Sequence, residues 1–208
     1  MADARMRRSG MLAVGSYHKT VGVYMEGSGE LMYVLLGQQG GVTQVQFSPD
    51  GNFLYSGARK DGAILCWDVR YTQECVYQIV RDTCNTNQRI GFDIDPSGRH
   101  LCTGGEDGYV RAYDLRDGSE IAHYRAAEDT VNGFSFHPTL NLGATASGHR
   151  RYETAVLQNE QESESGLGSA PKEDGVPARL WNSMAVWRFS YDWTGPMAEV
   201  PMDTEVEA

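Results

Sequence analysis

The sequence has few cysteines and no long apolar run, and both shortages exclude whole classes of protein. Only four of the 208 residues are cysteine, none in Cys-x-x-Cys pairs or at zinc-finger spacing from a histidine, so no metal site is expected. No segment approaches the ~18 apolar residues of a membrane-spanning helix, and no signal segment is visible, so we expect neither a membrane protein nor secretion. The cysteines are therefore predicted to be free thiols, with Cys66 and Cys102 as small core residues.

Catalytic motifs are also missing. The sequence has no Gly-x-Ser-x-Gly, no His-Glu-x-x-His and no phosphate-binding loop, and its five histidines lack metal-ligand spacing. Asp93 and Asp95 could form an acid pair, but their position before Pro96 favours capping of a turn. We therefore expect a protein that is not an enzyme and needs no cofactor.

Charge is unevenly distributed along the chain. The formal net charge is −10, of which residues 1–150 carry −3 and residues 151–208 carry −7. The acidity of the whole chain argues against non-specific binding of nucleic acid, but a local basic surface on the first 150 residues is compatible with it.

An internal repeat predicts the fold. Residues 42–70, 89–116 and 131–148 align with one another, and residues 12–24 form a partial copy that lacks a first strand. The copies alternate apolar and polar residues, and those at 42–70 and 89–116 contain Pro-x-Gly and Asp-Gly turns. Residues 74–80 and 120–125 follow as fourth strands. Four short strands in each repeat of ~40–45 residues are typical of β-propeller blades; the alternative is an irregular β-sandwich.

The composition divides the chain into four parts. Residues 1–148 are predicted to form propeller blades, and residues 149–178 an acidic, disordered insertion rich in Ser and Gly. Residues 179–193 return to strand alternation and complete the last blade, and residues 194–208 form an acidic tail. Because propellers close with 4–8 blades, about three and a half blades indicate part of a ring.

The turns between second and third strands share one rim with the links between blades, and many of their residues are basic. These residues, with one nearby aromatic, are Tyr17, Lys19, Arg59, Lys60, Arg81, Arg89 and Arg150. A basic rim with an aromatic ring suits phosphates and stacked bases of single-stranded or looped RNA. The alternative is a solvated rim whose charges pair with Glu106, Asp82 or the insertion.

Four strings make the sequence resemble the telomerase Cajal body protein family of WD-repeat proteins. They are GARKDGAILCWD at residues 57–68, GGVT at 40–43, TNQRI at 86–90 and ATASG at 144–148, the last followed by the acidic insertion. The resemblance implies the C-terminal half of a seven-bladed WD40 propeller, with the N-terminal half elsewhere. It also implies a nuclear, Cajal-body scaffold that binds the localisation-box hairpin of small Cajal-body RNA and telomerase RNA. Partners would include protein subunits of box H/ACA ribonucleoproteins, and the function would be telomerase assembly and telomere maintenance.

The resemblance assigns RNA contact most directly to Arg59, Lys60 and Arg89, which lie in the matching strings. It assigns structural roles to the His–Asp–Ser–Trp set of a WD repeat. The set's members, with their counterparts in the next repeat, are Asp61, Ser56, Trp67, Asp107 and Tyr113. Two departures are visible, because Gln38 stands where the set usually has histidine and Tyr113 replaces a tryptophan.

Overall fold

A computed structural model describes residues 2–6, 10–148 and 182–189, which form four antiparallel sheets in chain order. Blade 1 contains β1 (Ala2–Met6), β2 (Met11–Gly15), β3 (Thr20–Met25) and β4 (Leu31–Leu36). Blade 2 contains β5 (Val42–Phe47), β6 (Phe53–Ala58), β7 (Ala63–Asp68) and β8 (Tyr77–Val80). Blade 3 contains β9 (Phe92–Ile94), β10 (His100–Gly104), β11 (Tyr109–Asp114) and β12 (Glu120–Arg125). Blade 4 contains β13 (Val131–Phe136), β14 (Leu142–Ser147) and β15 (Ser183–Arg188).

The prediction of an all-β, partial propeller is confirmed, since each sheet pairs its strands in sequence order. Within the described ranges there is no helix, and therefore none that could span a bilayer. The strand that follows the predicted insertion is β15, which pairs antiparallel with β14 from Ser147↔Ser183 to Leu142↔Arg188. The insertion and the acidic tail lie outside the described residues.

Two predicted strand assignments were wrong. The first repeat does not lack its first strand, because Ala2–Met6 pairs with Met11–Gly15 along its whole length. Its sequence, ADARM, contains no β-branched or aromatic residue, so propensity gives no signal there. The fourth strand of blade 2 covers only Tyr77–Val80, whereas the strand Glu120–Arg125 of blade 3 agrees with the prediction.

Apolar clusters between consecutive blades hold the array together. Val21 and Val23 of blade 1 share a core with Leu54 and Trp67 of blade 2, and corresponding cores join blades 2 and 3 and blades 3 and 4. Cys66 and Cys102 are fully buried in the second and third of these cores, as predicted, and all four thiols are free. Fully burying one valine or leucine side chain in these cores stabilises the fold by about 1.5–3 kcal/mol.

Polar side chains on the first strands add a second set of links between blades. Gln44 donates from Nε2 to Phe92 O (2.6 Å) and accepts from Phe92 N (3.1 Å). Gln46 Nε2 donates to Asp93 Oδ1 (2.9 Å), and Asp93 Oδ2 accepts from Phe136 N (2.8 Å). Asp93 therefore bridges blades 2, 3 and 4 rather than capping the turn at Pro96.

The turn at Pro96 is capped by the second aspartate. The Asp95 carboxylate accepts hydrogen bonds from Arg99 N, His100 N and Ser97 Oγ. The predicted turn-capping role is thus correct for Asp95.

Candidate nucleic-acid interface

Backbone hydrogen bonds bring the predicted loops together on one face. Val42 N donates to Ser16 O (3.0 Å), and Arg59 N donates to Gly41 O (3.0 Å). Lys60 N donates to Thr86 O (3.3 Å), and Glu106 N donates to Asp82 O (3.1 Å). The second-to-third-strand turns of blades 1, 2 and 3 thus contact the links between blades, and we call this surface the turn face.

Tyr17 lies on the turn face with most of its ring free. Its side chain is 77% exposed, and its inner side packs over Gly41, where an added Cβ would lie 2.8 Å from Tyr17 Cδ2. At Gly40 an added Cβ would lie 1.7 Å from Arg59 O, so only glycine permits this close approach. The Gly-Gly pair therefore seats both Tyr17 and the Arg59 turn, leaving an aromatic surface on which a base could stack.

Four cations share the turn face with this aromatic surface. Lys19, Lys60 and Arg89 are exposed and Arg59 is half-buried. No ion pair or side-chain hydrogen bond connects any of the four to another residue in the described ranges. Pairing with Glu106 or Asp82, one part of the expected alternative, is thus not seen. The other part, pairing with the acidic insertion, falls on residues outside the described ranges.

Both lysines occupy an unusual backbone conformation. Lys19 and Lys60 have φ of 67° and 50°, and they are the only non-glycine residues with positive φ in the described part of the chain. Blade 3 has glycine, with φ of 84°, at the position of Lys19. A non-glycine residue in this conformation costs about 1–2 kcal/mol, so each of the two lysines lowers the stability of the fold.

The structure corrects the prediction that Arg81 contacts RNA from the rim. Arg81 is only 5% exposed, and its guanidinium donates to Ile90 O (3.0 Å), Thr103 Oγ1 (3.3 Å) and Ala58 O (3.3 Å). Burial lowers the pKa of Arg81 to about 10, and the negative charge of Asp61 opposes this shift. Arg81 therefore holds the link between blades 2 and 3 from beneath and positions its exposed residues, including Arg89.

Blade 2 completes the WD hydrogen-bond set without histidine. Ser56 Oγ accepts from Trp67 Nε1 (3.0 Å) and from Gln38 Nε2 (2.7 Å). Gln38 Nε2 also reaches Ser56 O (2.8 Å), and Asp61 Oδ2 accepts from Gln39 N (2.7 Å). Gln38, predicted to leave the set without its histidine, instead fills the place of the histidine. Its position just ahead of the first strand, where WD repeats usually have that histidine, could have indicated this role.

The set varies in the other blades. In blade 3, Arg81 contacts Thr103 in the way that Gln38 contacts Ser56, and Tyr113 OH donates to Val80 O (2.6 Å). Asp107 is exposed and does not join this set. Partial burial alone would raise its pKa, but hydrogen bonds from Arg111 and Tyr109 N hold the pKa of Asp107 below its ordinary value.

Blade 4 also has the tryptophan contact, which was not predicted from the sequence. Trp187 Nε1 donates to Thr145 Oγ1 (2.9 Å), the same contact that joins Trp67 to Ser56. The signal was present, since Trp187 is the fifth residue of β15, as Trp67 is of β7.

The turn face changes charge from one end to the other. One repeat position carries Tyr17 in blade 1, Arg59 in blade 2 and Glu106 in blade 3. At the blade 3 end this position is therefore acidic, and Glu106 Oε1 accepts from Asn85 Nδ2 (3.2 Å). The described residues contain no group of three His, Cys, Asp or Glu that could hold a metal ion. Arg150 lies outside the described residues, so its place on this face stays a prediction.

Comparison with known proteins gives consistent results. Residues 29–68 and 77–114 match the WD domain, G-beta repeat. Telomerase Cajal body protein 1 of Mesocricetus auratus is 36% identical over 95% of this chain and 37% of its own length. The protein of the same name from Mus musculus is 44% identical over 67% of this chain and 27% of its own length.

A relative with a different name is also similar. Guanine nucleotide-binding protein negative regulator 1 of Schizosaccharomyces pombe is 35% identical over 85% of this chain and 43% of its own length. The chain thus spans between about a quarter and two fifths of the length of these curated relatives. The repeats, the sheets and these similarities lead to one conclusion: the chain belongs to the WD-repeat family of telomerase Cajal body proteins.

Proposed function

We propose that this chain is an RNA-binding WD-repeat scaffold of small Cajal-body and telomerase ribonucleoproteins. The observation that supports it is that Lys19, Arg59, Lys60 and Arg89, which form no ion pair within the described residues, share the turn face with the exposed ring of Tyr17. Arg59, Lys60 and Arg89 would bind phosphates or base edges, and Tyr17 would stack on an unpaired base. Lys19 and Arg150 would extend the contact with the RNA backbone.

The wider role rests on the family resemblance described under the sequence and is part of the same proposal. The scaffold would bind the localisation-box hairpin of small Cajal-body RNA and telomerase RNA, direct the particles to Cajal bodies in the nucleus, and support telomerase assembly and telomere maintenance. Its partners would be protein subunits of box H/ACA ribonucleoproteins and an N-terminal half with further blades. It would act without catalysis, cofactor or membrane.

Binding of an RNA hairpin tests the proposal directly. Anisotropy with the complete chain would compare a hairpin that contains the localisation box with one whose box is scrambled, over a range of salt. Because each lost phosphate contact reduces counterion release, R59E and R89E should lower affinity and flatten the salt dependence by about one unit of slope each. The matched control is R99E, which reverses an exposed arginine in the hairpin between β9 and β10, at the opposite end of the blade.

Two results would contradict the assignment. One is equal affinity for both hairpins. The other is an R59E variant whose affinity and salt slope match those of R99E.

A protein-binding scaffold without RNA contact is the second candidate. The similarity to a relative named as a negative regulator of a guanine nucleotide-binding protein favours it, as does the acidic blade 3 end of the turn face. Co-purification with protein partners that survives nuclease treatment and is lost in E106R, but not in R59E, would favour this candidate.

A further inference from the structure

The outer strand of blade 1 has an exposed apolar edge. β4 has the sequence LMYVLL, without a charged residue or a proline. Among the described residues β4 is the last strand of its sheet and pairs only with β3, so the backbone groups along its other edge have no strand partner. Leu31, Met32, Val34 and Leu36 are 49%, 44%, 46% and 68% exposed. An apolar strand edge of this kind is a template for a further strand.

The exposure of β4 does not depend on the presence of a blade before blade 1. The register between third and fourth strands places Val34 and Leu36 of blade 1 where blade 2 has Gln78 and Val80. Gln78 is exposed and Val80 is 73% exposed, although blade 1 precedes blade 2. In this architecture a preceding blade therefore leaves this row of the outer strand open to solvent.

The other outer strands carry polar side chains in the same row. The counterparts of Val34 and Leu36 on β12 are His123 and Arg125, and both are exposed. On β8 the counterpart of Val34 is the amide Gln78. Polar and charged side chains at a strand edge disfavour pairing with another chain. Of the three fourth strands in the described residues, only β4 lacks this protection.

Two carboxylates lie before the start of β4. Glu26 and Glu30 are exposed in the hairpin between β3 and β4, which the hydrogen bond from Met25 N to Glu30 O (2.9 Å) closes. Neither carboxylate forms an ion pair or a hydrogen bond within the described ranges. This charge favours a basic partner and disfavours the acidic residues 149–178 and 194–208 of the same chain.

We propose that β4 binds an extended segment of a partner protein as a fifth strand of blade 1, and that this segment alternates apolar residues and ends in basic ones. The pairing would be antiparallel, as it is between all strands of this blade. In that direction the last residues of the segment lie beside the start of β4, close to Glu26 and Glu30. The apolar side chains of the segment would pack on Val34 and Leu36 as cross-strand neighbours. The proposal goes beyond RNA binding and does not depend on it.

A synthetic peptide of about ten residues, longer than β4 itself, tests the edge. The peptide alternates valine and threonine, ends in two arginines, and is titrated with the complete chain by calorimetry. L36E should lower the affinity for the peptide about 10-fold, because the change places a carboxylate in the apolar row. The matched control is V80E, which changes an exposed residue at the same repeat position in blade 2 and should leave the affinity unchanged.

Two modified peptides test the mode of binding. Methyl groups on alternate backbone nitrogens remove donors that a fifth strand needs, so the methylated peptide should bind about 10-fold more weakly. A peptide that ends in two glutamates should bind the wild-type chain more weakly than the arginine peptide does. The double variant E26K/E30K should reverse this preference.

Circular dichroism of L36E should show the wild-type strand content, because the altered side chain is mostly exposed. The proposal is overturned if the arginine peptide does not bind the wild-type chain, if L36E and V80E bind it equally, or if methylation or the terminal charge makes no difference. Sedimentation covers the remaining occupant: a wild-type dimer that L36E converts to a monomer would assign the edge to a second copy of the chain and also overturn the proposal.

Discussion

Gln38 and Arg81 hold the same place in consecutive blades with different chemistry. Each side chain extends from the link that precedes a blade and donates to the hydroxyl of its second strand, Ser56 or Thr103. An amide and a guanidinium both provide N–H donors, so either can replace the histidine of a WD repeat. The guanidinium has more donors, and Arg81 uses them to hold Ile90 O and Ala58 O as well.

Gln38 should be worth more to stability than the adjacent glutamine. Q38A removes two hydrogen bonds and leaves buried Ser56 groups without this donor, so the free energy of unfolding should fall by about 1–3 kcal/mol. Q39A is the matched control, because the Gln39 side chain is exposed, and it should change this free energy by less than about 0.5 kcal/mol. Q38H should recover most of the loss, and urea denaturation measures all three; equal effects of Q38A and Q39A would contradict the role of Gln38.

The sequence could indicate Tyr17, Arg59, Lys60 and Arg89 as accessible residues because they occupy turns and links whose position follows from the repeat. The sequence could not indicate that Arg81 is buried, because arginine side chains are normally exposed. Its burial depends on the carbonyl oxygens of Ala58 and Ile90 and on the hydroxyl of Thr103, which come together only in the folded blades.

At the scale of the elements, the end of the third strand forms the same ion pair in two blades. Asp68 binds Arg70, and Asp114 binds Arg116, in the corner that leads to the fourth strand. Hydrogen bonds from the arginine side chain lower the pKa of Asp68, and likewise that of Asp114, from 3.8 to about 2. These aspartates are the acidic members of the Trp-Asp and Tyr-Asp pairs that mark the repeat.

The lowered pKa values predict a loss of stability in acid. A carboxyl with a lower pKa in the folded state contributes stability that is present above its unfolded pKa of about 4 and is lost as the pH falls toward 2. The double variant D68N/D114N should therefore lose less stability between pH 4 and pH 2 than the wild type. E74Q, which changes an exposed carboxyl, is the control; thermal unfolding at several pH values measures the difference, and parallel curves for D68N/D114N and wild type would contradict it.

The strands themselves were predictable where alternation and turn residues coincide, as around residues 42–70. The strands were not predictable where the alternation or the turn residues are weak. Ala2–Met6 becomes a strand because Met11–Gly15 offers it an edge, and the predicted strand at residues 74–80 shortens to Tyr77–Val80. Such boundaries are set by pairing partners distant in sequence.

At the scale of the whole molecule, the turn face has a basic end at blades 1 and 2 and an acidic end at blade 3. RNA would therefore be held over Tyr17 and Arg59 and repelled near Glu106. This distribution would orient an RNA along the face, because phosphates avoid the carboxylates.

Replacing the acidic residue should extend the RNA contact. E106R gives blade 3 the arginine that blade 2 has at this repeat position, Arg59. The affinity for the RNA hairpin should therefore rise about 3-fold, and the salt dependence of binding should steepen by about one unit of slope. D117R, in the corner between β11 and β12 at the opposite end of the blade, is the control with a similar change of charge. Anisotropy with the RNA hairpin measures the affinity of both variants. An equal gain in affinity for E106R and D117R would show that net charge alone controls binding.

The repeat position shared by Tyr17, Arg59 and Glu106 has a consequence for how such a protein changes over generations. Each residue sits at the tip of a turn, outside the cores between blades, so a mutation there alters what the surface presents while the packing beneath it persists. A duplicated blade can then diverge one turn at a time, from aromatic to cationic to anionic. In this architecture, binding specificity can evolve by substitutions at equivalent turn positions of the blades. The selection that maintains the fold acts on other residues, those of the cores.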